Sequence, residues 1–169
     1  MNNERKWKEM ETIRKNCFET NSSSTHTLTM CMKSDYKKWE NGELYYYPYN
    51  HKLITPERME KIVRSHMLDT EIHCDYNEKT ITYNGKSIAF DGTWKDSSEK
   101  AKEFYTTENL NKYSLDEVMK YRKEHVSDGD TPMTREEYLD ETELETYKED
   151  FTTDKGEEIV AFGTFGQDY

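Results

Sequence analysis

Rings have to build the core of this chain. Aromatic residues make up 13% of its 169 positions, all hydrophobic types together reach 33%, and charged residues reach 35%. A buried phenylalanine, tyrosine or tryptophan removes about 150–250 Å² from water, so the rings can close a core that the sparse aliphatic side chains cannot close alone. They are spread along the whole sequence, which favours a folded domain although the polarity leans toward disorder. The length suits one domain rather than two. No apolar run comes near the roughly 20 residues that cross a bilayer, and Met1 to Glu11 is charged with no signal-peptide core, so a cytoplasmic location is expected.

The acid is gathered at one end. Of 35 acidic and 24 basic residues, 14 and 3 lie after Ser127, so 21 of each precede it and the whole formal excess of -11 falls between Asp128 and Tyr169. Such a field steers basic partners and repels nucleic acid. A charge run is most often a solvated face; its functional counterpart is mimicry of a nucleic-acid backbone, with carboxylates standing where phosphates would. The residues suited to that role are Glu136, Glu137, Asp140, Glu141, Glu143 and Glu145, with Tyr45 and Tyr47 from the tyrosine run supplying contact area. Neighbouring acids such as Glu136-Glu137 splay apart on a helix or strand, which argues against paired acid–base chemistry or Mg2+ binding. Cys17, Cys31 and Cys74 are odd in number and lack C-x2-C or H-x3-H company, so free thiols are expected, with no metal and no cofactor.

Periodicity predicts an α+β fold, in which antiparallel hairpins and a meander carry several short helices packed on them. Residues 1–12 read as an N-terminal extension and 13–169 as a single α+β domain whose final third, 128–169, is acidic. Ile13 to Phe18 reads as a strand, Glu19 to His26 as a loop or cap, and Leu28, Met30 and Met32 alternate with Thr27, Thr29 and Cys31 as a half-buried strand. Asp35 to Glu40 suggests a helical turn, and Leu44 to Tyr49 an aromatic strand ended by Pro48. Thr55-Pro56 opens a helix with Met59, Ile62, Val63 and Met67 on one face. Three short strands follow, over Glu71 to Tyr76, Thr80 to Tyr83 and Ser87 to Phe90, with Asn84-Gly85 as a hairpin turn. Helices are expected over Ser97 to Tyr105 and Ser114 to Val126, and after Thr134, where Tyr138 and Leu139 would anchor; Ser114 and Thr134 each begin a capping box. A last hairpin joins Glu145 to Thr152 and Glu158 to Phe165.

The stretch Glu19 to His26 groups a carboxylate, an amide, four hydroxyls and an imidazole. Three readings are open. The hydroxyls can satisfy backbone groups in a tight loop or helix cap. Backbone N–H groups with Asn21, Ser22, Ser23 and Ser24, helped by Arg14, can cradle an anion. Or Ser24 can act as nucleophile with His26 as base and Glu19 as the orienting group, although no G-x-S-x-G elbow accompanies them. The run from Arg14 to His26, and the end from Glu158 to Asp168, resemble the two ends of small uncharacterised proteins from phages and mobile elements of Gram-positive bacteria. That resemblance implies a phage origin and places residues 1–12 ahead of the usual start; it transfers no activity. Together with the acidic end it gives the leading expectation. On that expectation the chain would be a phage accessory protein, more a binder than an enzyme, that inhibits a basic nucleic-acid-handling host defence protein, as anti-CRISPR and anti-restriction proteins do. It would bind no nucleic acid itself and engage no membrane. The alternative is a small enzyme or a nucleotide- or anion-binding domain using the box at 19–26.

Overall fold

The computed structural model describes residues 24–142 and 144–167, apart from the side chains of residues 24–26 and 167. The expected extension, the strand Ile13 to Phe18, and residues Arg14, Cys17, Glu19, Asn21, Ser22, Ser23 and Glu143 lie outside the described residues. The architecture is α+β, as the periodicity predicts, with short helices on antiparallel hairpins and a meander.

The principal sheet joins the two ends of the described chain. Its central strand is β9, Glu158–Gln167, which pairs on one side with β8, Glu145–Thr152, in the expected hairpin. On its other side β9 pairs end to end with β1, Ser24–His26, and β2, Thr29–Met32. The box therefore ends in a strand, where its hydroxyl-rich sequence suggested a loop: the β1 backbone finds its partners in Phe165, Gly166 and Gln167, which a tight turn would have had to supply itself. The alternation in β2 holds, but its faces are the reverse of the hydrophobic expectation. Thr29 is buried opposite Phe162, whereas Met30 and Met32 stand 38% and 43% exposed on the far face.

Between β1 and β2 the edge is modified at one residue. The Thr27 amide bonds the Thr164 carbonyl at 3.0 Å, but the return bond from the Thr164 amide goes to the Thr27 hydroxyl, also at 3.0 Å. The Thr27 carbonyl, thus released, accepts the Tyr147 hydroxyl of β8 at 2.8 Å, across the strand that lies between them. This crossing needs a glycine beneath it. A Cβ at Gly163 would overlap the Thr27 carbonyl oxygen and lie 2.8 Å from the Tyr147 hydroxyl.

The inner face of this sheet is closed by rings. Helix α1, Lys33–Glu40, sets Tyr36 and Trp39 one turn apart on the strand, with Trp39 stacked on Phe162 at 4.9 Å between centroids and Tyr36 edge-on to it at 5.3 Å. Tyr46 of β3, Tyr45–Tyr47, and Tyr138 of the last helix complete the cluster, 4.8 Å apart. Such edge and offset contacts contribute about 0.5–1.5 kcal/mol each beyond the area they bury. β3 is shorter than the expected aromatic strand because Pro48–Asn50 turns as a 3-10 helix; it pairs with β4, Lys52–Ile54, which three residues were too few to signal.

A middle layer is helical. Helix α2, Pro56–Asp69, is capped by Thr55 and packs Met59 and Val63 against Val118 of α5, Leu115–Glu124. Beyond it, β5 (His73–Asp75), β6 (Thr80–Tyr83) and β7 (Lys86–Ala89) form the expected meander, with Asn84 and Gly85 both at positive φ in its tight turn. Helices α3, Trp94–Ala101, and α4, Thr107–Asn111, cover it over a core of Leu68, Ile81, Tyr83, Phe90 and Phe104. α3 begins three residues before the expected helix because Thr93 caps it, its hydroxyl accepting the Asp96 amide. Helix α6, Arg135–Glu141, ends the helical set. Among the described residues no helix is long and apolar enough to cross a membrane.

Candidate functional site

Helix α6 is where the acidic residues of the sequence become a surface. Thr134 caps it, accepting the Glu137 amide at 3.2 Å, and Glu137 reaches back to the Thr134 amide at 2.8 Å, so the expected capping box is formed. Tyr138 turns its ring into the core, as expected; Leu139 does not anchor the helix and stays 38% exposed, since the ring cluster occupies only one side of so short a helix.

Glu137 departs from the role the charge pattern suggests. It forms a forked pair with Arg122 of α5, at 2.6 and 2.9 Å, and the same guanidinium donates to the Pro132 carbonyl. Arg122 is 5% exposed, so this carboxylate is spent on a buried cation and adds nothing to an outward field. Burial is the largest influence on Glu137 and raises its pKa, but the bonds from Arg122 and Thr134 together outweigh it and hold the carboxyl below the ordinary range.

Its neighbours face water. Glu136, Asp140, Glu141 and, at the start of β8, Glu145 are exposed and make no ion pair among the described residues. Their positions are mixed for the helix. Glu136 lies in the first turn of α6, where an acid suits the dipole, but it repeats with Asp140 at i and i+4, where like charges disfavour a helix by about 0.2–0.5 kcal/mol, and the last turn holds acids and no base. Farther along the hairpin the acid is partly compensated, for Lys33 lies 3.7 Å from Asp150 and 3.3 Å from Glu158.

The tyrosine run divides between inside and outside. Tyr45 lies under the Arg122 guanidinium, 5.3 Å from its ring centre, against the middle helical layer, so it is a structural ring. Tyr46 is buried and bonds the His51 ring at 2.8 Å. Tyr47 is half-buried and stacks on Tyr49, which is 79% exposed. Burial first, and then the nearby charge of Asp130, raise the Tyr47 phenol above its ordinary pKa. Tyr49 is thus the outward ring of the run; its place one residue after a proline, beyond the strand, was the available signal.

At the box, Ser24 and His26 hold positions 24 and 26 of β1, paired with Gln167 and Phe165. Cys31 and Cys74 are free thiols, and burial pushes the Cys31 thiol up to about 11. Among the described residues no group of three or more histidine, cysteine or acidic side chains is placed to hold a metal ion. No protein-family model, no curated protein and no solved structure matches the chain.

Proposed function

We propose that this protein is a phage-encoded accessory protein that binds a basic, nucleic-acid-handling host defence protein and blocks it, in the manner of anti-CRISPR or anti-restriction proteins. The observation that carries the reading is the exposed set without ion pairs formed by Glu136, Asp140 and Glu141, on a helix that the Arg122–Glu137 pair locks in place, and by Glu145 at the start of β8. Asp140 and Glu141, acids at the C-terminal end of their own helix, oppose its dipole, a cost that a cationic partner would offset. Three free charges over the seven residues of α6 amount to one per roughly 3.5 Å of helix axis, close to the repeat of about 3.4 Å along one nucleic-acid strand. A cationic groove shaped for a phosphate backbone is the surface such a helix fits, and Tyr47 and Tyr49 next to Asp130 add ring area of the kind that interfaces favour.

The test is reversal of Glu136, Asp140, Glu141 and Glu145 to lysine. In a pull-down from the host at low and high salt, the unaltered protein should retain a basic partner that high salt releases, and the reversed protein should lose it by orders of magnitude. Equal retention by both proteins at both salt concentrations would remove the reading.

A further inference from the structure

A cleft of about 560 Å³ opens between the meander and α3, within the size range of ligand sites. Its lining includes Ile72 and Ile81 and three rings, Tyr76, Trp94 and Tyr105, with Asp69 at the end of α2. Each ring is held. Tyr76 packs edge-on to Phe90 at 5.3 Å and bonds the Ser97 hydroxyl at 3.2 Å; Ser97 in turn donates to the Trp94 carbonyl at 2.8 Å. The Tyr105 hydroxyl donates to one Asp69 oxygen, and the other Asp69 oxygen has no partner among the described residues. Trp94 stands 76% exposed and Tyr76 48% exposed on the lining of the same cleft, which therefore offers ring surface to solvent.

The molecule contains a filled example of the same arrangement. Glu71 accepts the Tyr113 hydroxyl at 2.6 Å, and the Lys112 ammonium sits 2.5 Å from Glu71, over the rings of Tyr113 at 4.7 Å and Tyr83 at 5.1 Å. Carboxylate, phenol donor and ring faces together hold a cation. The cleft brings together the same kinds of parts, a carboxylate, a phenol donor and exposed rings, while Lys102 on its lining is paired with Glu99 at 2.8 Å. From this parallel we infer that the cleft receives a guanidinium or ammonium group presented by a side chain of the basic partner. The free Asp69 oxygen accepts from it and the Trp94 and Tyr76 faces supply cation–π attraction. The inference rests on the partner-binding reading but concerns a surface separate from α6, so the two can fail independently.

The test is titration of the full-length, isotope-labelled protein with capped arginine amide, capped citrulline amide and choline, following the Trp94 indole N–H assigned with Trp94→Phe. Capped arginine should move that signal saturably with a Kd on the order of 1–10 mM, and neutral citrulline should bind about tenfold more weakly or not at all. Asp69→Asn should lower arginine affinity about tenfold with its thermal midpoint kept. Should that variant unfold, Lys102→Glu replaces it and should tighten binding. Citrulline binding as well as arginine, an unchanged affinity in the variant used, or a response to choline and not to arginine would each overturn the proposal. The fourfold reversal of Glu136, Asp140, Glu141 and Glu145 should leave the arginine response in place, which separates failure here from failure of the acidic-surface reading.

Discussion

The principal sheet and the meander solve one problem, how to bury a core in a highly charged chain, by different routes. The meander lobe is built from neighbours in sequence, with a two-residue turn between β6 and β7 and helices that directly follow. The ring lobe is built from the chain's distant parts: Thr27 meets Thr164, and Trp39 meets Phe162 and Tyr138. The local lobe pairs its strands through adjacent segments and closes with bonds such as Tyr105 to Asp69 and Lys112 to Glu71, which span far less of the chain than Thr27 to Thr164. The long-range lobe depends on a few close approaches that allow no substitute, and it is this lobe that carries the exposed acid.

Gly163→Ala attacks that dependence most directly. The added methyl would overlap a backbone oxygen, which cannot rotate away as a side chain can, so β1 must lift from β9. We expect a loss of about 3 kcal/mol or more in urea unfolding. Hydrogen exchange should show β2 and β9 opening well before β6. Uniform loss of protection across both lobes would dissolve the distinction between them.

Arg122→Met comes next, with an expected cost of about 3 kcal/mol because it leaves the half-buried Glu137 unpaired. Adding Glu137→Leu should restore part of that loss. The pair also predicts a pH dependence. Glu137 titrates below its ordinary value in the folded chain, so its contribution is complete above the unfolded-state pKa of about 4.3 and is lost as pH falls through the lower folded value. The unaltered protein should therefore lose thermal midpoint more steeply below about pH 4 than Glu137→Gln. Parallel curves would mean that the forked pair contributes little in solution.

These contacts also mark where sequence reasoning stops. Signals that act within a few residues were legible: Thr55-Pro56, the Ser114 and Thr134 capping boxes, Asn84-Gly85, and the final hairpin with its turn at Gly156. What depends on distant partners was not. Glu137 looks like Glu136 until Arg122 arrives from another helix, and Tyr45 looks like Tyr47 until the same guanidinium covers its ring. Met30 and Met32 look like core because methionine is apolar, yet Thr29 and Cys31 are the residues facing the rings, since α1 covers their side of the sheet. The cleft was invisible because its lining comes from separate elements between Asp69 and Tyr105.

Thr27→Val is a gentler probe of the ring lobe. The variant keeps the shape but removes the hydroxyl that accepts the Thr164 amide, leaving that donor without its partner in a buried position. A cost of about 1–2 kcal/mol is expected. A smaller loss than about 0.5 kcal/mol would indicate that the Thr27 carbonyl swings back to take the amide. Tyr147→Phe would then show no further effect in the double variant, because the carbonyl would already have left it.

The smallest effect on stability is expected where the effect on function is proposed to be largest. Lysines at 136 and 140 still repel each other at i and i+4, so that effect does not improve; a base at 140 suits the C-terminal end of the helix dipole, while a base at 136 gives up a favourable acid in the first turn, and the two dipole effects offset. The combined change Glu136→Lys and Asp140→Lys should thus shift unfolding free energy by no more than about 0.5 kcal/mol in either direction. Urea unfolding of the variant beside the unaltered chain measures this. A loss above about 1 kcal/mol would mean that these carboxylates are bound within the fold, and would return the acid of α6 to the same structural account as Glu137. A shift within that range leaves these carboxylates free of the fold, as the partner-binding reading requires.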